Sequence, residues 1–273
     1  MRREAHRAGG RGWAVLFLAT IIATLSVAIT SSTAQAALPE FGRCAPAKTP
    51  HSGEYTGRKC LSPAGGQGNY NWEPGPGPKP KFEGQLSKFK LETVGKKFTV
   101  ECAFGVVKGE YKSAKTVSVL FELIGCLRTE TGQKCQATPL KEGEMEPQFE
   151  GELGFIKAGE TPKVGLELKP SSFTFSCGLP PASVTPVTVE GSAIGAIAPI
   201  DSMRESLKLS YLAPGGKQNP ESFEGGVKHT LTQEWIDEAG SHSEQTGLTI
   251  IGVEEKPKPL VIENEEAIEI KAK

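Results

Sequence analysis

A chain of 273 residues with 31 Lys+Arg against 32 Asp+Glu is close to neutral, and its 37% hydrophobic content, 32 Gly and 20 Pro describe a globular protein with many turns. That balance excludes the basic surface with which nucleic-acid binders displace counterions. It equally excludes the polybasic stretch that holds a protein to anionic lipid.

The first element is a leader. Arg2, Arg3, Arg7 and Arg11 face only Glu4, no charged residue follows until Glu40, and Trp13 to Ile29 is mostly apolar. Hydroxyl residues and Ala34-Gln35-Ala36 close it, which is the order of a secretory signal with its cleavage site. Thr20, Thr24 and Ser26 dilute the run below what a spanning helix needs. The expectation is a Sec-type signal peptide over 1–36, cleaved after Ala36, and a secreted protein that meets the membrane only through that leader. Arg43 beside Cys44 does not fit a lipid-anchored cysteine. Without the leader the chain holds 27 basic and 31 acidic residues.

Residues 37–81 form a segment of their own. Cys44 and Cys60 are suited to close its loop, and Glu73-Pro-Gly-Pro-Gly-Pro-Lys-Pro80 reads as a semi-rigid connector, because proline removes backbone donors and fixes φ. Phe41, Tyr55, Tyr70 and Trp72 are dense in a segment too short to bury them alone. They either dock it onto the rest of the chain or offer aromatic faces to a sugar or a protein partner. Tyr55, Tyr70 and Trp72 are therefore the candidate ligand-binding residues.

From Phe82 to the end the dominant period is two. Phe89 and Leu91 alternate with charged residues, Val94-Gly95-Lys96 suggests a hairpin turn, and Phe98 and Val100 follow. The alternation returns at Val117 to Leu123, Phe149 to Phe155, Val164 to Leu168, Val187 and Val189, Leu207 to Tyr211, Leu248 and Ile250, and Ile268 and Ile270. Residues 231–239 suit one short helix. The pattern predicts an all-β domain over 82–273 of ten to thirteen strands: an antiparallel β-sandwich, with a β-barrel as the alternative.

All six cysteines follow the leader, and an even count in an exported chain implies disulfides. Strand parity turns Cys102 and Cys177 toward the core, which suggests they pair. Cys126 and Cys135 bracket a polar turn and would staple it, and Cys44 would join Cys60.

Pro39-Glu-Phe-Gly-Arg-Cys44, Gly53-Glu-Tyr55, Cys60 and Gly68-Asn-Tyr70-Asn-Trp72-Glu-Pro-Gly75 resemble the opening of a family of secreted actinobacterial proteins. Lys134-Cys135, Glu150-Gly-Glu-Leu-Gly154-Phe-Ile156 and Glu265-Glu266-Ala-Ile-Glu-Ile270 continue the resemblance. It implies an exported protein from such a bacterium and assigns no activity or site residue.

Catalytic candidates are sparse. His51, His229 and His242 read as solvated loop residues, and no Gly-x-Ser-x-Gly elbow accompanies them. Glu142, Glu144, Glu146, Glu150 and Glu152 contain a possible glycosidase pair, yet their spacing reads as one solvated strand face. Glu254-Glu255 and Glu263-Glu265-Glu266 fix no cation geometry. No cofactor, metal or catalytic residue is expected. The expected function is a non-catalytic extracellular or cell-envelope protein, binding a glycan or protein or acting structurally; the alternative is a secreted carbohydrate-active hydrolase using paired glutamates.

Overall fold

The computed structural model describes residues 38–171, 173–178, 184–253 and 259–273. The leader expected over 1–36 and the pair Glu254-Glu255 lie outside the described residues.

Four short strands open the fold: β1 (Glu40–Pro46), β2 (Gly53–Tyr55), β3 (Pro63–Gly68) and β4 (Tyr70–Pro74). Three long ones follow: β5 (Lys81–Thr93), β6 (Thr99–Tyr111) and β7 (Thr116–Arg128). Then come β8 (Cys135–Gln136), β9 (Glu144–Met145), β10 (Gln148–Lys157), β11 (Lys163–Pro170), β12 (Phe173–Cys177), β13 (Thr185–Gly191) and β14 (Ala193–Ala198). The chain ends with β15 (Arg204–Ser210), β16 (Leu231–Asp237), β17 (Gly240–Gly252) and β18 (Leu260–Lys271).

The fold is all-β and antiparallel, and the sheet takes the barrel form rather than two separate layers. Hydrogen bonding runs β5–β6–β7–β10–β11–β14–β15–β18 and returns from β18 to β5, closing eight strands into a barrel. Closure removes every unpaired edge, and eight strands enclose an interior that side chains alone can fill. Five further strands build a second ring on the other half of β5: β17, β16, β13, β12 and β8. A single bridge, Leu127↔Lys134, carries that ring back to β7.

The three long strands therefore serve both rings, and their middle explains how. Ser87-Lys88, Ala103-Phe104 and Ile124-Gly125 are successive pairs outside the core at the same level of β5, β6 and β7. Each pair re-phases the alternation by one residue. Leu86, Val107 and Leu123 then face the core on one side of this waist, and Phe89, Cys102 and Cys126 on the other. Gly125 supplies the left-handed backbone this requires, at φ 67°. The core stays continuous across the waist: Phe89 meets Phe121 at 5.5 Å, Phe121 meets Phe149 at 5.5 Å, Phe149 meets Phe173 at 6.4 Å, and Phe173 meets Phe175 at 5.1 Å.

The cysteines correct two expectations. Cys44 joins Cys60, but Cys102 joins Cys126 and Cys135 joins Cys177. Parity had identified inward-facing cysteines, and all four of Cys102, Cys126, Cys135 and Cys177 are fully buried. Facing inward does not choose a partner; register does. Cys102 lies directly opposite Cys126 on β6 and β7, and Cys135 directly opposite Cys177 on β8 and β12. The three disulfides indicate an oxidising, extracellular setting, and among the described residues no helix is long and apolar enough to cross a membrane.

Residues 231–239 are also corrected, from helix to strand. Leu231, Gln233 and Trp235 point inward as β16 and pair with β13 on one side and β17 on the other. Gln233, fully buried, interrupts the apolar alternation and hides the period of two. Tertiary pairing here overrides a helix-compatible composition.

The amino-terminal segment seals one end of the barrel. Glu40, Phe41 and Gly42 on β1 pair with Lys271, Ile270 and Glu269 on β18, and β4 pairs with the rest of β1. Phe41 is fully buried, edge-on to Tyr111 at 4.8 Å.

Candidate functional site

Tyr55, Tyr70 and Trp72 converge on one face of the amino-terminal sheet. Tyr55 is the register partner of Tyr70, and Trp72, two residues along β4, is that of Cys44. All three are half-buried. Trp72 is committed to docking. The Lys271 ammonium lies 4.4 Å from its ring centroid, and a Cβ on Gly42 would fall 2.1 Å from its Cζ2. Lys271 belongs to β18, the strand this segment grips, and Gly42 to β1 of the segment itself. Tyr70 accepts a 3.1 Å hydrogen bond at its hydroxyl from Arg58 Nε. Glu269 shares this face, and burial pushes its carboxyl above the usual range, against the opposing influence of Trp72 and Lys271.

The histidines are not the free loop residues expected, apart from exposed His51. His229 Nδ1 lies 2.7 Å from Glu167 Oε1 and 3.1 Å from Ser192 Oγ. A serine triad needs its acid on one imidazole nitrogen and its nucleophile on the other. Here both meet Nδ1, so the cluster lacks the triad arrangement and ties the 211–230 crossing to β11. His242 lies on β17, stacked on Trp235 at 4.9 Å, with Nε2 2.9 Å from Asp237 Oδ1. That hydrogen bond, helped by Ala239 N–H and the Trp235 indole, holds the Asp237 carboxyl below its usual range against the effect of burial.

The feature that spacing alone did not reveal is a 670 Å³ groove on the outer face of the barrel. Cross-strand register builds its floor in two rows. Lys81, Glu110, Ser118 and Glu150 form one across β5, β6, β7 and β10; Glu83, Lys108, Leu120 and Gln148 form the other. A row of four spans roughly 14 Å at ordinary strand spacing. Glu263, Asn264 and Glu265 of β18 close one side. Of the suspected glutamates, Glu150 lies here. Glu152 points outward further along β10, Glu144 lies on β9, and Glu142 and Glu146 flank β9. Lys108 donates to Glu122 at 2.6 Å. The Lys112 hydrogen bond at 2.8 Å holds Glu110 below the usual carboxylate range. Among the described residues no three His, Cys, Asp or Glu side chains are grouped to hold a metal ion.

Comparison with protein-family models, with curated proteins and with solved structures finds no match.

Proposed function

We propose that this is a secreted, non-catalytic binding protein of the extracellular space or cell envelope, whose outer-face groove takes a hydroxyl-rich polymer such as an envelope glycan. The groove itself carries the proposal: 670 Å³ is an ordinary size for a ligand site, and it combines rows of charged and amide side chains with apolar lining from Phe82, Val119, Leu120 and Phe149. Such a mixed surface suits a polymer that offers both hydroxyls and apolar ring faces, as a sugar chain does. The leader over 1–36 supports export, and the disulfides suit the compartment it would reach.

One observation favours the hydrolase alternative: Glu110 and Glu150 face the same groove two strands apart, roughly 10 Å between backbones. The general acid of a glycosidase sits in a desolvating pocket that keeps it protonated. Glu110 is held ionised by Lys112 and Glu150 is open to solvent, which is why binding is preferred.

The deciding experiment is a pull-down of the oxidised protein on purified cell-wall glycan. Glu150→Lys and Glu83→Lys should abolish retention while Tyr70→Ala leaves it intact. Retention by both charge variants would sink the groove, loss with Tyr70→Ala alone would move the site to the aromatic face, and release of reducing ends from the glycan would make the protein a hydrolase.

A further inference from the structure

From Ser118 in the groove to Arg128 at the far end of β7 is roughly 33 Å of strand. There the mouth of the second ring opens into a separate cavity of 690 Å³, bordered by Arg128, Val184, Thr185, Pro186, Ile236 and Asp237. One wall is apolar and wet. Val184 and Ile236 are 42% and 57% exposed, with Pro186 in the same wall, so covering them would release apolar surface from water.

Arg128 supplies the complementary chemistry. Its guanidinium is held 4.1 Å over the Phe98 ring, which is backed by Trp235 at 5.2 Å, and its side chain is only 13% exposed. Its one hydrogen bond among the described residues is a long one, 3.4 Å from Nη2 to the Lys97 carbonyl. The Glu130 carboxylate forms an ion pair with it, 3.6 Å from Nε and too long for a hydrogen bond. A guanidinium has five donors in a fixed fork that matches a carboxylate, and most of this fork is unspent. Asp237, an anion already satisfied by His242, Ala239 and Trp235, borders the same cavity together with Glu238. A second negative charge on a ligand would be repelled there.

We infer that this mouth is a binding site for an amphiphilic monocarboxylate, with the carboxylate on Arg128 and the apolar body along Val184, Pro186 and Ile236. The site is independent of the groove. Calorimetric titration of the oxidised protein with N-acetyl-leucine and with N-acetyl-leucinamide tests it, since the two differ only in the carboxylate. The acid should bind about tenfold tighter than the amide, the scale of one charge-assisted contact. Ile236→Ser, at an exposed position, should weaken the acid, Arg128→Gln should reduce it to the amide's level, and Glu150→Lys in the groove should change neither. Equal affinity for acid and amide overturns the inference, as does an unaltered affinity in Ile236→Ser. So does absence of acid binding up to about 10 mM, where even a contact worth a few kcal/mol would register.

Discussion

The two rings share three strands and close by different means. The first is stitched all round by backbone hydrogen bonds; the second returns to β7 through one bridge and the two-residue strand β8, whose Cys135 joins Cys177, while Cys102–Cys126 ties β6 to β7, strands that serve both rings. The Cys135–Cys177 disulfide reinforces the short β8–β12 ladder with a covalent bond. The ends differ likewise. Phe41 and β1 close the first ring, whereas the second opens on Arg128 and the apolar wall.

The largest test of this contrast is removal of the stitch. Replacing both Cys135 and Cys177 by alanine frees a 42-residue separation and should cost about 4 kcal/mol. Hydrogen exchange should show protection lost on β12, β13 and β16 and kept on β10, β11 and β14; uniform loss would mean the rings are not mechanically distinct. The converse is Leu166→Ala, which empties a buried position in the first ring. A loss of about 3 kcal/mol is expected in denaturant unfolding, with exchange accelerating first on β10, β11 and β14.

Gly42→Ala probes the seal. Its Cβ would collide with Trp72, so the amino-terminal sheet should lift from β18 at a cost of about 2 kcal/mol. Faster proteolysis between Cys44 and Cys60 would report it, with the rings intact. The smallest effect is a gain. Burial raises the folded-state pKa of Glu269 above the ordinary value of 4.5, so the folded state holds the proton more tightly than the unfolded one. Stability then falls as pH rises from 4.5 through the folded value. Glu269→Gln should slightly raise the thermal midpoint at pH 7, with the gain vanishing below pH 4.5.

Most strands were legible because one face is buried: Val117, Val119, Phe121 and Leu123 announce β7 by alternation alone. What stayed hidden was long-range. Nothing local in Cys102 tells which inward cysteine lies across the ladder, because register is set by β6 and β7 as wholes. β16 was obscured by one buried polar residue, Gln233. The groove was invisible for the same reason as the disulfides. Lys81, Glu110, Ser118 and Glu150 are distant in sequence and become a row only when four strands align. Tyr55, Tyr70 and Trp72 stood out by composition, and that pointed to a shared face without revealing that Trp72 is spent on docking.

The shared strands also bear on how the chain reaches this state. During synthesis β5, β6 and β7 are the first ring strands to emerge and can pair locally as a meander, but β17 and β18, which complete both rings on β5, follow only from residue 240 onward. Until then a thirteen-residue strand has an open edge and its apolar face has no lid. Such high contact order predicts slow folding and a need to be guarded from aggregation before the last strands arrive. No cut between the rings would relieve that, because there is no linker between them to cut.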